Sequence, residues 1–337
     1  MDEQLLPDRK DQELHLALLD AGLDVHKQGA SCTIYRVPGT DRKYLYVSWN
    51  HIDLGYIRLP AVFPKRGELL AALQLFWFNR VICGESNHLI AWGKFIYDYL
   101  PLKLRLNSQL HRQAFLVRAH HVSSVEHVAY GYLVKDLWSK YSNNGASELS
   151  LPHGLRYGAR LRQPIVMVGE SEVANDTSHP CLVSLAARAY NEMASHVRQR
   201  RLVMPFCRFR FGVHKIIPAG EGCTFIPAGV LAGQPGTPDT SEFYDASWRR
   251  MMLDRGEEPI TCDRHALMEW AKDTRTPFFK HSGLTYLNSD LDSHRDFASR
   301  LKIPHQVVSK TMHCLRCLFQ RITGESLARF QESVCMN

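Results

Sequence analysis

The order of periodicities along the chain limits the fold more than any other feature of the sequence. Two strand-like runs, Cys32-Thr33-Ile34-Tyr35-Arg36-Val37 and Tyr44-Leu45-Tyr46-Val47-Ser48-Trp49, are joined by the turn formers Pro38-Gly39-Thr40-Asp41, which predicts an antiparallel hairpin. An aromatic-rich helical pattern follows at Glu68 to Val81. Strand signals then resume at Ala114-Phe115-Leu116-Val117-Arg118 and from Val125 to Leu133, with no regular alternation of strand and helix. That order argues against a doubly wound parallel sheet and predicts an α+β protein with antiparallel pairing. The strongest helix is expected from Leu182 to Arg200, where Leu182, Leu185, Ala186, Ala189, Met193 and Val197 recur at helical spacing opposite Ser184, Arg188, Asn191 and Ser195. A last helix carries Val308, Met312, Leu315, Leu318, Phe319 and Ile322 on one side.

A short amphipathic pattern at Leu16, Leu19 and Leu23 predicts an appended helical arm over 1–28. No repeat or low-complexity linker divides the rest, and the Gly/Pro-rich segment Ala228–Thr240 is expected to be loop. The predicted organisation is this arm, a β-rich lobe over 29–115, an α+β lobe over 116–326 and a loose tail over 327–337, with antiparallel sheets around a central cleft. A chain of 337 residues is long enough to bury such a core.

Function classes can be narrowed by composition. The longest apolar run, Ala71 to Phe78, is far too short to cross a bilayer. Asp2, Glu3 and Asp8 do not form a secretory signal pattern, so a cytoplasmic location and no membrane partner are expected. Nine cysteines, an odd number spread from Cys32 to Cys335, read as reduced thiols. The net charge of +7 is scattered apart from Arg198-Gln199-Arg200-Arg201, which favours a solvated positive surface over a nucleic-acid partner. A homo-oligomer is left open.

Local motifs do not decide the chemistry. Cys314-Leu-Arg-Cys317 lies inside an amphipathic helix without a second ligand pair, so two ordinary helix cysteines are expected and no metal is assigned. His120 and His121 are neighbours in a strand-like stretch, where successive side chains point to opposite faces. The glycine-rich run Ala228 to Gly236 lacks the lysine and hydroxyl residue of a phosphate-cradling loop.

Taken in order, several segments are similar to the SAICAR synthase (phosphoribosylaminoimidazole-succinocarboxamide synthase) family. They include Gly29 with Ile34-Tyr35, Gly67 with Phe76-Trp77-Phe78, Asn87-His88-Leu89, Ile96 to Pro101, Glu126, Gly131-Tyr132, Trp138, Tyr141, Pro164-Ile165, Phe209, Phe211-Gly212 and Thr237-Pro238-Asp239 with Ser241 and Phe243. The collinear match runs from about residue 29 to 326. The resemblance implies two lobes with antiparallel sheets and an ATP- and magnesium-dependent joining of aspartate to a carboxyaminoimidazole ribotide. Such a reaction needs cations around phosphates and carboxylates around the metal.

The chain departs from the family at those places. Ala30 and Cys32 stand where the resemblance puts the phosphate-facing lysine and arginine, and Asn50-His51 replace an Asp-Arg pair, with Asp53 in place of a serine. Tyr130 replaces the ribotide arginine, and Lys135-Asp136 replace Gly-Ser. Phe206, Cys207, Arg208 and Arg210 occupy the first, second, third and fifth places of an Asp-Thr-Lys-Phe-Glu-Phe-Gly signature, and Ala228-Gly229 match the magnesium-binding Asp-Glu pair. A buried charge that has lost its partner costs several kcal/mol, so these losses together predict that ATP and magnesium are not used and that no cofactor is needed. The expected activity is a repurposed cyclase or isomerase of secondary metabolism, including a pericyclic Diels-Alder ring closure on a hydrophobic small molecule. Candidate catalytic residues are His51, Asp53, Tyr130, Lys135, Asp136, Arg208 and Arg210. Candidate substrate-binding residues are Trp49, Tyr56, Met167, Val168, Phe206 and Asp239. Arg208 and Arg210, two apart on a strand, could instead pair structurally with Asp239 or Glu242. A non-catalytic ligand-binding protein and an ATP-dependent amide ligase are the competing readings.

Overall fold

The computed structural model describes residues 9–29, 31–40, 43–54, 57–118, 121–122, 125–144, 149–169, 180–213, 230–248, 261–280 and 283–335. Helix α1 (Arg9–Asp20) leads into strands β1 (Asp24–Gln28), β2 (Cys32–Arg36) and β3 (Lys43–Ser48). The hairpin β4 (Asp53–Leu54) and β5 (Ile57–Arg58) follows, then helix α2 (Arg66–Phe76), which runs on into a π turn over Trp77–Val81. Next come β6 (Leu89–Trp92), α3 (Ser108–Gln113), β7 (Ala114–Arg118), β8 (His121–Val122), β9 (His127–Tyr132), α4 (Lys135–Asn144), β10 (Arg160–Val168) and α5 (Pro180–Gln199). The remaining described elements are β11 (Leu202–Val203), β12 (Phe206–Val213), β13 (Val230–Ala232), β14 (Tyr244–Asp245), α6 (His265–Asp273), α7 (Asp292–Ser299), α8 (His305–Thr323) and α9 (Leu327–Cys335).

The chain forms two compact units, one of Met1–Leu75, Leu89–Ala119 and Asp263–Asn337, the other of Phe76–His88 and His120–Cys262. This replaces the division expected at 115/116, because the chain returns to its first unit at Asp263. The predicted loose tail is helix α9, which packs on α3 and buries Phe330 edge-on against Phe319 with ring centroids 5.6 Å apart. A phenylalanine with so little exposed surface pins the chain end.

In the first unit, β1-β2-β3-β7-β6 form an antiparallel sheet in that order. The hairpin read from the turn residues is β2–β3, with Thr33 opposite Val47 and Tyr35 opposite Leu45. Tyr35, Leu45 and Val47 join Trp49, Leu14, Leu18 and Leu23 in one core. The described part of the arm, residues 9–28, is therefore part of this unit, with β1 at its sheet edge, and its inward stripe differs from the expected one. Leu16 and Leu19 are exposed, while Leu14, Leu18 and, against its polarity, Asp11 are buried.

In the second unit, β10-β9-β12-β13 form an antiparallel sheet to which β8 adds through β12. Part of the segment expected to be loop, Val230–Ala232, is thus a strand, while residues 228 and 229 lie outside the described residues. One sheet face, with His127, Ala129, Cys207, Phe209 and Phe211, is buried. Helix α5 packs on the sheet through the apolar stripe predicted for it. Its Tyr190 hydroxyl donates to the carbonyl of Met204 at 2.6 Å, and a Cβ at Gly131 would lie 2.2 Å from that hydroxyl oxygen. Tyr190 is itself buried and bonded, so it cannot swing aside. Gly131→Ala should therefore cost about 2–4 kcal/mol in chemical denaturation. Gly154→Ala, at φ +78° with open space around it, should cost only about 1 kcal/mol. Equal costs would show that the helix–sheet approach is not the constraint.

Candidate functional site

The candidate residues of the first unit follow β3. Trp49 is fully buried and its indole N–H donates to Thr33 Oγ1 at 2.8 Å. His51 is also fully buried, and its carbonyl accepts from Arg66 Nη1 at 2.7 Å. Neither ring reaches solvent, so Trp49 is corrected from substrate contact to core, and His51 is not placed to exchange a proton with a ligand. Asp53 faces Arg58 across the β4–β5 pair with a 3.5 Å Nε–Oδ1 separation. Tyr56 lies outside the described residues.

Between them Asn50 is held on all sides. Its backbone N–H and its Nδ2 donate to the two carboxylate oxygens of buried Asp11 at 2.8 and 3.0 Å, while its Oδ1 accepts from Gly67 N–H at 3.0 Å. Gln109 Nε2 gives Asp11 a further bond at 3.1 Å. An aspartate at position 50 would set two carboxylates against each other, and only a side chain with an amide donor fits beside Asp11.

The second unit assembles more of the predicted set. Across β10, β9 and β12, Ile165, Tyr130 and Phe206 lie in one row and Met167, Val128 and Arg208 in the next. Strand alternation puts all six on one face. Val168 pairs with His127 and so belongs to the opposite face from Met167, which removes it from any site that Met167 lines. The Tyr130 and Phe206 rings lie 5.8 Å apart and are 2% and 6% exposed, within a cluster that includes Leu137 and Tyr141 of α4.

Charge is organised at the edge of this row. Glu126 faces both guanidiniums, Arg208 at 3.6 Å and Arg210 at 3.7 Å. The two arginines therefore pair with Glu126 and not with Asp239 or Glu242. About half of each arginine side chain is solvent-exposed, so the pairs are worth under about 1 kcal/mol each and the guanidiniums can still be engaged by a ligand. Asp239 is half-buried in the turn after β13. Lys135 Nζ instead meets Glu242 Oε1 at 3.0 Å, and Glu242 accepts from the Tyr244 hydroxyl on its other oxygen. Tyr130 is pushed up to about 12, first by burial and then by the charge of Asp136. Its hydroxyl stays protonated through the neutral range and is hydrogen-bonded to Asp136.

Lys135 adopts φ +51° at the start of α4, a left-handed conformation that costs a non-glycine residue about 1 kcal/mol. The resemblance puts a glycine at this position, so the backbone geometry is that of a glycine turn while the side chain is a lysine. Glu126 and Glu242 are not among the predicted site residues. Their cationic partners Arg208, Arg210 and Lys135 lie far along the chain, so local spacing holds no signal for these ion pairs.

The family model described as SAICAR synthetase matches residues 26–281, most of the chain. The chain belongs to the SAICAR synthetase family. The phosphoribosylaminoimidazole-succinocarboxamide synthase of Saccharopolyspora erythraea is 28% identical over 305 residues, covering 86% of this chain and 90% of the relative. That of Saccharomyces cerevisiae is 26% identical over 275 residues, covering 75% and 85%. A solved SAICAR synthase structure superposes with a TM-score of 0.71 at 22% identity, covering 91% of this chain and 97% of that one, a likeness of fold. The SAICAR synthase fold with helices and antiparallel sheets is thus established.

At the phosphate and metal places implied by the resemblance stand residues of a different chemistry. Cys32 Sγ donates to the Tyr46 hydroxyl at 2.8 Å, a neutral pair where an arginine is implied. Phe206 presents an apolar ring in place of a carboxylate, and Arg210 a cation already facing Glu126. The pair Ala228-Gly229 offers no carboxylate to a metal ion.

Asn50→Asp should destabilise the protein by about 3 kcal/mol at pH 7, and Asp11→Asn in the same chain should recover much of it. Chemical denaturation of both single variants and the double variant checks this. Strictly additive losses would sink the pairing.

Proposed function

We propose that this chain keeps the SAICAR synthetase scaffold and carries an ATP- and metal-independent cyclase or isomerase activity on a hydrophobic small molecule of secondary metabolism. An intramolecular pericyclic ring closure of the Diels-Alder type is the reaction this reading favours. Phe206 carries the reading. It stands where the resemblance implies an aspartate, and it packs on Tyr130 in a row with Ile165 beside Met167. A surface of that kind suits an apolar chain and repels a magnesium–phosphate complex.

In such a closure a conjugated diene and an alkene of one molecule exchange three π bonds for two σ bonds and one π bond. No proton, electron or leaving group departs, so the protein has to supply only shape and polarisation. Phe206, Met167 and Ile165 hold the folded substrate. Tyr130, protonated and hydrogen-bonded to Asp136, turns its one hydroxyl hydrogen from that carboxylate to a carbonyl conjugated with the alkene. Arg208 and Arg210 hold the polar end, with Glu126 fixing their direction. Tyr130 is nearly covered, so admission of substrate requires the α4 side of the cluster to open. The strained Lys135 at the first residue of α4 supports a working role for this segment, since Gly at φ +51° would relieve the backbone.

A second reading, the ATP-dependent amide ligase, draws on the length of the match, which reaches 90% of the Saccharopolyspora erythraea synthase. The two separate under one pair of measurements. Thermal unfolding should be unmoved by magnesium-ATP, whereas a rise of several degrees would favour the ligase. With a linear diene-containing substrate that the wild type cyclises, Tyr130→Phe should lower kcat by roughly 10–100-fold with a smaller change in KM, the loss of one hydrogen bond made in the transition state. Unchanged turnover would remove Tyr130 from the reaction. Binding without conversion across such substrates would favour a non-catalytic ligand-binding protein.

A further inference from the structure

The second unit carries a basic groove where β10 meets α5. Arg160 pairs with Tyr132 and Ile165 with Tyr130, so five steps along β10 match two along β9 and the strand arches outward by three extra residues. Bulges of this kind re-aim side chains. Leu161 turns inward and is 7% exposed, while Arg160 and Arg162 on either side of it are exposed. Pro164, in the arch, has no N–H to leave unpaired.

The arch and α5 border a shallow open groove with room for about 50 Å³, lined by Arg160, Arg162 and Arg198, with Tyr190 and Asn191 also contributing. No aspartate or glutamate lines it. Among the described residues none of the three arginines makes an ion pair, and the one side-chain bond of Arg198 runs from Nε to the Ala194 carbonyl at 3.1 Å. Three like charges converging without a counterion repel one another, and each guanidinium presents a planar fork of donors. A carboxylate would neutralise one of them. A phosphate carries more than one charge and has enough acceptor oxygens for several forks.

We infer that this groove binds a small phosphate-bearing molecule, with Arg160, Arg162 and Arg198 as its ligands. The groove borders the Tyr130–Phe206 cluster through Tyr132 and Leu161, but its three arginines are distinct from Arg208 and Arg210.

The test is calorimetric titration of the full chain with inorganic phosphate, against chloride at equal ionic strength. Saturable binding is expected, weakened at least tenfold by Arg160→Ala/Arg162→Ala and unchanged by Arg208→Ala/Arg210→Ala. Thermal unfolding without phosphate checks that each variant folds. Should the double variant unfold early, Arg162→Ala alone carries the comparison. Binding no stronger than the chloride control, binding kept by the groove variants, or loss confined to the Arg208/Arg210 variant would each overturn the inference.

Discussion

The polar interior of the first unit depends on the buried carboxylate of Asp11. It sits on the inward stripe of α1, where a leucine would be the ordinary occupant, and it gathers donors from the segment after β3 and from α3. Taking a carboxylate out of water costs several kcal/mol unless its oxygens are filled with donors. In this unit they are filled by Asn50 and Gln109, which ties three separate stretches of chain to one residue. The departure at position 50 then has a physical reason. An amide in place of the implied acid is what the neighbouring carboxylate of Asp11 calls for.

The second unit repeats this logic with opposite sign. Arg210 replaces an implied glutamate, and the added cation meets Glu126, which also faces Arg208. One carboxylate between two guanidiniums leaves net positive charge at the edge of an apolar row. Lys135 could have been a third such charge, yet Glu242 takes it up, and Tyr244 fixes the other oxygen of Glu242. The result is a surface with an apolar middle, a neutral hydroxyl donor at Tyr130 and a cationic rim. That arrangement is chemically far from a phosphate and metal clamp, although the strands beneath it keep the family's fold and the turn into α4 keeps a glycine's backbone shape.

Much of the architecture is legible in the sequence because it rests on short-range periodicity. The β2–β3 hairpin, the stripe of α5 and the apolar side of α8 all follow from spacing within one element. The stripe of α1 does not, because Asp11 looks like a solvent residue and only its distant donors make it a core residue. The last helix escapes for a similar reason, since Phe330 finds Phe319 within a packed layer that local spacing does not reveal. At the site, residue identities are visible but not faces. The parity of β10 separates Met167 from Val168, and burial moves Trp49 and His51 into the interior. Pairing of Arg208 with Glu126 spans strands far apart in the chain, where no sequence pattern specifies a partner.

These dependencies bear on how the family's chemistry could be regained or lost. Restoring a carboxylate at position 206 would place a charge beside the Tyr130 ring, among Leu137, Tyr141 and Met167, where water is scarce. A second carboxylate at position 210 would face Glu126 and leave Arg208 as the one cation of the present trio. Each reversion is therefore opposed by the neighbours that accommodate the present residue, and reversal would require several positions to change together. The same coupling explains why the scaffold can be kept intact while its polar lining differs. The sheet registers are held by the buried face of His127, Cys207, Phe209 and Phe211, and the charges at the edge of the opposite face can change without disturbing them.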